Sequence, residues 1–189
     1  MAPMTTPAET TSLPLTAGRW ALDTNHSSVG FTVRHLGVSK VRGRFNEFET
    51  DVVVGETLAD TTVSATIQVS SIDTANADRD AHVLSPEIVD VTLRPTLSFT
   101  STSIEHDGDD FTLVGDLTVG DVTKPFSLAV ELGGLEPFAD GVRHAGFEAR
   151  GEFRRSDFGI APSIPSAMLG DVIKIELDLQ LLEPAAPEA

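Results

Sequence analysis

The sequence predicts an all-β protein, an antiparallel sheet of about eight strands closed on itself and interrupted by one short helical insertion. Three observations predict it. Apolar residues recur with a period of two over most of the chain, the pattern of strands with one buried face. Turn-forming Gly and Asp residues separate the runs. A single stretch, Asp73 to Leu93, breaks the alternation.

Each element follows from that pattern. Val29, Phe31 and Val33 alternate with Ser28, Gly30, Thr32 and Arg34. A second strand lies around Val41 to Val54, and in a third Val63, Ala65, Ile67 and Val69 share a face. A fourth lies around Thr96 to Ile104. Phe111, Leu113, Gly115, Leu117 and Val119 define the fifth, and Phe126, Leu128, Val130 and Leu132 the sixth. Ala145 to Phe153 and Ile173 to Leu181 complete the series. Asp107-Gly108 and Asp140-Gly141 are hairpin turns, and Gly133-Gly134 marks a bend or bulge. In the insertion, Asp73 or Thr74 is placed to cap a helix running toward Leu84, and Ser85-Pro86-Glu87 reads as a second helix start. Eight half-apolar strands hide their faces either in a barrel or in a two-sheet sandwich, and the barrel is the preferred solution.

The first 17 residues are rich in Pro, Thr, Ala and Glu and read as a disordered lead; residues 183–189 read as a disordered tail. That leaves residues 18–182 as one domain of ordinary size in a chain of 189. The lead has neither the positive region nor the apolar region of a secretory signal, so the expected location is the cytoplasm. No run approaches the roughly 18 apolar residues of a membrane helix, so no stable membrane insertion is expected.

Composition excludes several chemistries. There is no cysteine, which removes thiol catalysis, disulfides and cysteine metal sites. Thirteen basic residues face 29 acidic ones, a formal charge of -16, which argues against nucleic-acid binding and against adsorption to anionic membranes. The five histidines, His26, His35, His82, His106 and His144, show no metal-ligand spacing, and no metal or cofactor is expected.

Ten Phe, one Trp and no Tyr are present. Phe31, Phe45, Phe99, Phe126, Phe147 and Phe153 fall on the apolar parity of their strands. Such a lining suits a long apolar ligand with few polar groups, but a solid core uses the same residues, and both readings stand. His35 shares the inward parity, and His82 follows Arg79 and Asp80 in the insertion. These groups read as hydrogen-bonded residues at the barrel mouth, as headgroup contacts, or as an acid/base set. Arg34, Lys40, Arg42 and Arg44 share the outward parity. Cross-strand ion pairing is the preferred account of them, with a phosphate-bearing headgroup as the alternative.

Four segments carry a family resemblance. They are LDTNHSSVGFTVRHLGVSKVRGRFNEFE (Leu22 to Glu49), SSIDTANADRDAHVLSPEIVD (Ser70 to Asp90), GDLTVGDVTKPFSL (Gly115 to Leu128) and RRSDFGI (Arg154 to Ile160). In this order they resemble the YceI-like family, known as lipocalin-like, polyisoprenoid-binding proteins. The resemblance implies an eight-stranded antiparallel lipocalin-like barrel with a short helical insertion, and an apolar channel for a polyprenyl or similar chain whose headgroup sits near the opening. It also implies dimers in many members and no established catalysis. His26, Phe31, His35, Gly43, Phe45, Arg79, Asp80, His82, Phe99, Arg155, Asp157, Phe158 and Gly159 match the family pattern. Leu93-Arg94-Pro95 departs from it, since an aromatic residue usually precedes that proline.

The expected function is therefore binding of an isoprenoid or other long-chain lipid by a non-enzymatic barrel, as a possible homodimer without nucleic-acid partners. The expected lining is Phe31, Val33, Phe45, Ile67, Val69, Phe99, Leu113, Leu117, Phe126, Phe147, Phe153 and Ile175, with His35, Arg79, His82 and Arg155 as mouth or headgroup candidates. The alternatives are an enzyme acting on a bound lipid or quinone through His35, Asp80 and His82, and a ligand-free stress-response or interaction barrel.

Overall fold

The structure, a computed structural model, describes residues 13–107 and 110–185. Eleven strands form one antiparallel sheet. They are β1 (Gly18–Leu22), β2 (Ser28–His35), β3 (Ser39–Phe45), β4 (Phe48–Val54), β5 (Thr62–Gln68), β6 (Ile72–Asp73), β7 (Thr96–Asp107), β8 (Asp110–Val119), β9 (Val122–Pro137), β10 (Arg143–Arg154) and β11 (Leu169–Leu182). The first six pair off into three staves. β1 runs on into β2, β3 into β4, and β5 into β6, because each pair keeps the same partners across a short break. The result is an eight-stave up-and-down barrel. Ala21 opposite Leu182 and Leu22 opposite Leu181 close it.

The breaks have local causes. Between β1 and β2, the Asp23 carboxylate caps the single turn Thr24–His26 by accepting from the Asn25 N–H. The other two breaks lie side by side, where Asn46 N–H donates to the Ser71 carbonyl and Gln68 N–H to that of Glu47. The strands β1 and β6, too short to show in the alternation, lie beyond the expected series.

Turn chemistry follows the sequence. Gly141 has φ +81° and the Val142 N–H donates to the Asp140 carboxylate, closing the β9–β10 hairpin. Gly133 is the extra residue of a bulge: Gly146 faces Gly134, whereas Phe147 faces Leu132. The expected Asp107-Gly108 turn reaches residue 108, outside the described residues.

The insertion differs from expectation in two ways. Helix α1 (Ala77–Leu84) is capped by Asn76, whose side chain accepts from the Arg79 N–H, and not by Asp73 or Thr74. Asp73 instead accepts from the Ala75 N–H, and Thr74 is buried. Ser85 starts no second helix. Its hydroxyl donates to the His82 carbonyl and it terminates α1, after which the chain turns repeatedly to Leu93.

Inside the barrel large and small residues oppose one another. A Cβ on Gly43 would meet the Phe31 ring at 2.5 Å, on Gly115 the Phe99 ring at 2.5 Å, and on Gly151 the Phe126 ring at 2.7 Å. These glycines are the space into which the rings turn. The central core holds Val29, Phe99, Leu113, Leu117, Phe126, Leu128 and their neighbours, and a second cluster gathers Val52, Val54, Ala145 and Leu181 around Trp20. Of the lead expected over residues 1–17, residues 1–12 lie outside the described part; Leu13 and Leu15 pack on the Trp20 cluster.

Candidate functional site

The strand directions give the barrel two unlike ends. The β2–β3 turn, α1, the 85–95 turns, the β8–β9 turn and the 155–168 segment all lie at one end, the mouth. The β4–β5 and β9–β10 turns and both termini of the domain lie at the other, the base.

Behind the mouth is a cavity of about 510 Å³. Phe31, Val33, Phe45, Val69, Phe153 and Ile175, all expected lining residues, form its walls. Its roof was not foreseen: Val83, Ile88 and Val89 come from α1 and the following turns, and Ile160, Ile164 and Met168 from the segment before β11. A second chamber of about 170 Å³ lies below. The remaining expected residues, Ile67, Phe99, Leu113, Leu117, Phe126 and Phe147, line it. Leu97, Phe153 and Ile175 face both chambers.

Phe153, between the two chambers, belongs to an edge-to-face ladder of rings. Phe99 and Phe126 stand 6.1 Å apart at 78°, Phe126 and Phe153 6.3 Å at 77°, and Phe153 and Phe158 5.3 Å at 85°. At the bottom, Leu13 and Leu15 close the lower chamber. A residue pair spaced by two just ahead of Trp20 was the only sequence signal for this plug.

Polar groups on the cavity walls concentrate at the mouth. His35, Thr74, Arg79, His82, Glu87 and Arg155 border the upper chamber. Arg155 is 3% exposed, and its donors all serve backbone carbonyls: Nε that of Gly170, Nη1 those of Ile160 and Ala161, and Nη2 those of Ile164 and Leu169. A guanidinium has five N–H groups, so none is left for a headgroup. Of the two roles expected for Arg155, mouth or headgroup contact, this bonding serves the mouth. Arg94, the departure from the family pattern, works the same way, donating to the carbonyls of Val89, Phe158 and Gly159 and tying the turns to the 155–168 segment.

Arg79 is different. Its Nε donates to the Thr74 hydroxyl and its Nη2 to the Thr74 carbonyl, while Nη1 has no partner among the described residues. Thr74 in turn donates to Asp80 through both its hydroxyl and its N–H. His82 Nε2 lies 2.9 Å from Glu87. Asp80 thus engages Thr74 and His82 engages Glu87, so the two do not form the Asp–His pair that an acid/base set needs. The His35 side chain is exposed at the end of β2 and has no hydrogen bond among the described residues. Among those residues no three His, Asp or Glu side chains gather to hold a metal.

On the outer wall, the expected cross-strand ion pairing holds for Arg44 alone of its four residues. Arg44 binds Asp73 at 3.0 Å. The Ala75 N–H first, and then Arg44, hold the Asp73 carboxyl below the usual carboxylate range. Arg34, Lys40 and Arg42 border an open groove with Lys174.

A closed antiparallel barrel with an apolar interior, one polar-rimmed opening and one sealed end defines a lipocalin-like architecture. The comparisons specify it further. Residues 20–181 match the YceI-like domain, and the chain belongs to that family. Protein YceI of Shigella flexneri is 38% identical over 150 residues, 78% of each chain. The Campylobacter jejuni YceI crystal structure superposes with a TM-score of 0.72 at 28% identity, covering 80% of this chain and 90% of that one. BcnA of Burkholderia cenocepacia shares the fold at a TM-score of 0.75 and 19% identity, covering 84% and 98%. A polyisoprenoid-binding domain from Saccharophagus degradans shares it at 0.64 and 11%, covering 89% and 100%.

Proposed function

We propose that this barrel binds an isoprenoid or other long-chain lipid tail-first, without chemical transformation. The observation that carries the reading is two apolar chambers in series with polar groups concentrated at one end. Family membership and the named ligand class of the Saccharophagus domain support it. Each methylene moved from water into the chambers contributes roughly 0.8 kcal/mol, so a prenyl chain has ample gross affinity before its ordering cost is subtracted. The headgroup sits at the mouth, within reach of the free Arg79 donors and of His35. Phe153 is the ring a tail must pass between the chambers, and Leu13 and Leu15 set the longest chain admitted.

Native mass spectrometry of the freshly purified protein, with solvent extraction of whatever is released, tests this. Discrete adducts of polyprenyl or acyl mass are expected, and Phe99→Asp, which puts a carboxylate in the lower chamber, should lose them. A clean apo mass, together with no Trp20 quenching and no melting shift on adding polyprenyl alcohols to the wild type, would end the carrier reading.

A further inference from the structure

One corner of the mouth leaves large apolar side chains and cations largely in solvent. Leu36 and Val38 occupy the tip of the β2–β3 turn, 53% and 84% exposed. Met168, 52% exposed, stands beside them, its carbonyl accepting from the Leu36 N–H at 2.9 Å. The tip is built against local preference. Leu36 and Gly37 have φ of +55° and +65°, and the Val38 N–H closes the turn on the His35 carbonyl. A β-turn with both central residues left-handed ordinarily takes Asn, Asp or Gly first. Here a leucine is held in that strained conformation with its side chain largely in water, a local rule broken without an internal gain.

The wall beneath the tip carries the cations that the rest of the protein leaves unpaired. Arg19, Arg44, Arg143, Arg150 and Arg154 have carboxylate partners. Arg79, Arg94 and Arg155 are engaged by the mouth segments. Among the described residues, Arg34, Lys40, Arg42 and Lys174 have neither ion pair nor side-chain hydrogen bond; Lys124 is the other such residue. Four cations without partners among the described residues thus share one wall of a chain with 29 acidic residues. The rows are ordered. Arg34 faces Lys40 directly below the tip, and Arg42 and Lys174 flank Thr32 one row down; Glu152 enters beside Lys174, and Glu176 enters a further row down, opposite Gly30. Asp171, also on the groove, is occupied by Ser156 and Arg154.

We infer that this corner docks the mouth onto an anionic lipid bilayer. Leu36, Val38 and Met168 enter the interface, and the cations below meet the headgroups. Rows on one face of a strand are about 7 Å apart, so the first cationic row lies within the Debye length of about 8 Å at physiological ionic strength. The charge of -16 opposes adsorption through other faces, which orients the molecule mouth-down. This docking goes beyond the channel reading and does not depend on what fills the chambers.

Flotation of the full-length protein with two kinds of vesicle tests it: phosphatidylcholine alone, and phosphatidylcholine with an equal amount of phosphatidylglycerol. The protein should float with the anionic vesicles only, and added salt should release it. At roughly fivefold per basic residue near the surface, the Lys40→Glu, Arg42→Glu double variant should lose about twentyfold or more in partitioning. Val38→Asp should abolish flotation. All three side chains are exposed, and unchanged melting temperatures check that the variants fold. No flotation with anionic vesicles, equal flotation with both compositions, or indifference to both variants would overturn the docking. So would self-association in sedimentation that Val38→Asp abolishes, since that outcome assigns the tip to a second copy of the chain.

Discussion

The two ends of the barrel solve the same problem with different chemistry. At the base, strands end in hairpins and the closure is apolar: Trp20, 1% exposed, packs with Val52, Val54, Ala145 and Leu181 under Leu13 and Leu15. Its indole N–H donates to the Thr16 carbonyl, and Arg143, Glu183 and the Thr16 hydroxyl form a polar latch over the plug. At the mouth, beside the β2–β3 and β8–β9 hairpins, two connections are long irregular segments whose carbonyls have no strand partners. Arg155 and Arg94 supply the missing donors. A base sealed by packing leaves no opening, whereas a mouth held by hydrogen bonds around two guanidinium groups leaves room for a cavity of about 510 Å³. The difference teaches that rigidity and openness are compatible when backbone carbonyls, and not side-chain packing, take up the constraint.

Breaking each end in turn sharpens the comparison. Arg155→Met removes the guanidinium donors from five carbonyls, two of the bonds buried and three partly buried; at about 1–3 kcal/mol for each buried acceptor left unpaired, a loss of about 3 kcal/mol is expected after partial relaxation. Trp20→Ala should cost about 3–5 kcal/mol through the cavity it leaves. For a protein of this size both shift the melting temperature by on the order of 10 °C. The comparison predicts that they differ in kind. Hydrogen exchange should rise across residues 155–170 in Arg155→Met and around β1, β4 and the β11 end in Trp20→Ala. Identical exchange patterns in the two variants would show that the ends are not separately held.

The plug gives a smaller effect with a sharper readout. Leu13 and Leu15 are only half-buried, so the Leu13→Ala, Leu15→Ala double variant should lose about 1–2 kcal/mol, less than a core truncation. It should also retain prenyl alcohols longer than any the wild type holds. An unchanged length preference removes the plug from the specificity argument and leaves the carrier reading intact.

What the sequence disclosed divides along the same lines. Period two assigns inside from outside on every stave, which is why all twelve expected lining residues sit on a chamber wall. It says nothing of how deep a side chain lies along the stave, so the split at the Phe99–Phe126–Phe153 ladder was invisible. Arg155 was offered as a mouth or headgroup residue and the sequence could not choose between the two, because backbone carbonyls leave no trace in residue identities. The same blindness explains Ser85, whose Ser-Pro-Glu signature marks a helix start while its hydroxyl ends one. Arg34, Lys40 and Arg42 looked ready for cross-strand pairing, but across the β2–β3 ladder Arg34 and Lys40 face each other and Arg42 faces Thr32, so no acid lies opposite them.

The latch at the base sets the smallest effect and the most specific pH window. Hydrogen bonds from Arg143 and then from the Thr16 hydroxyl hold Glu183 down to about 2. A carboxylate depressed in the folded state adds stability above its unfolded value, near 4.3, and loses it as pH falls toward the folded value. The latch is therefore intact at neutral pH and loosens between about pH 4.3 and 2. At the mouth the Ser156 hydroxyl and N–H, with Arg154, also hold Asp171 below the usual range, so acid acts on both ends. Glu183→Gln isolates the base. It should flatten part of the wild type's stability loss over that window while leaving the Asp171 part. Trp20 fluorescence, which reports the base alone, should become insensitive to acid there while the fold persists. If Trp20 in Glu183→Gln still responds to acid as in the wild type, the latch does not govern the base, and apolar packing by Leu13 and Leu15 holds the plug unaided.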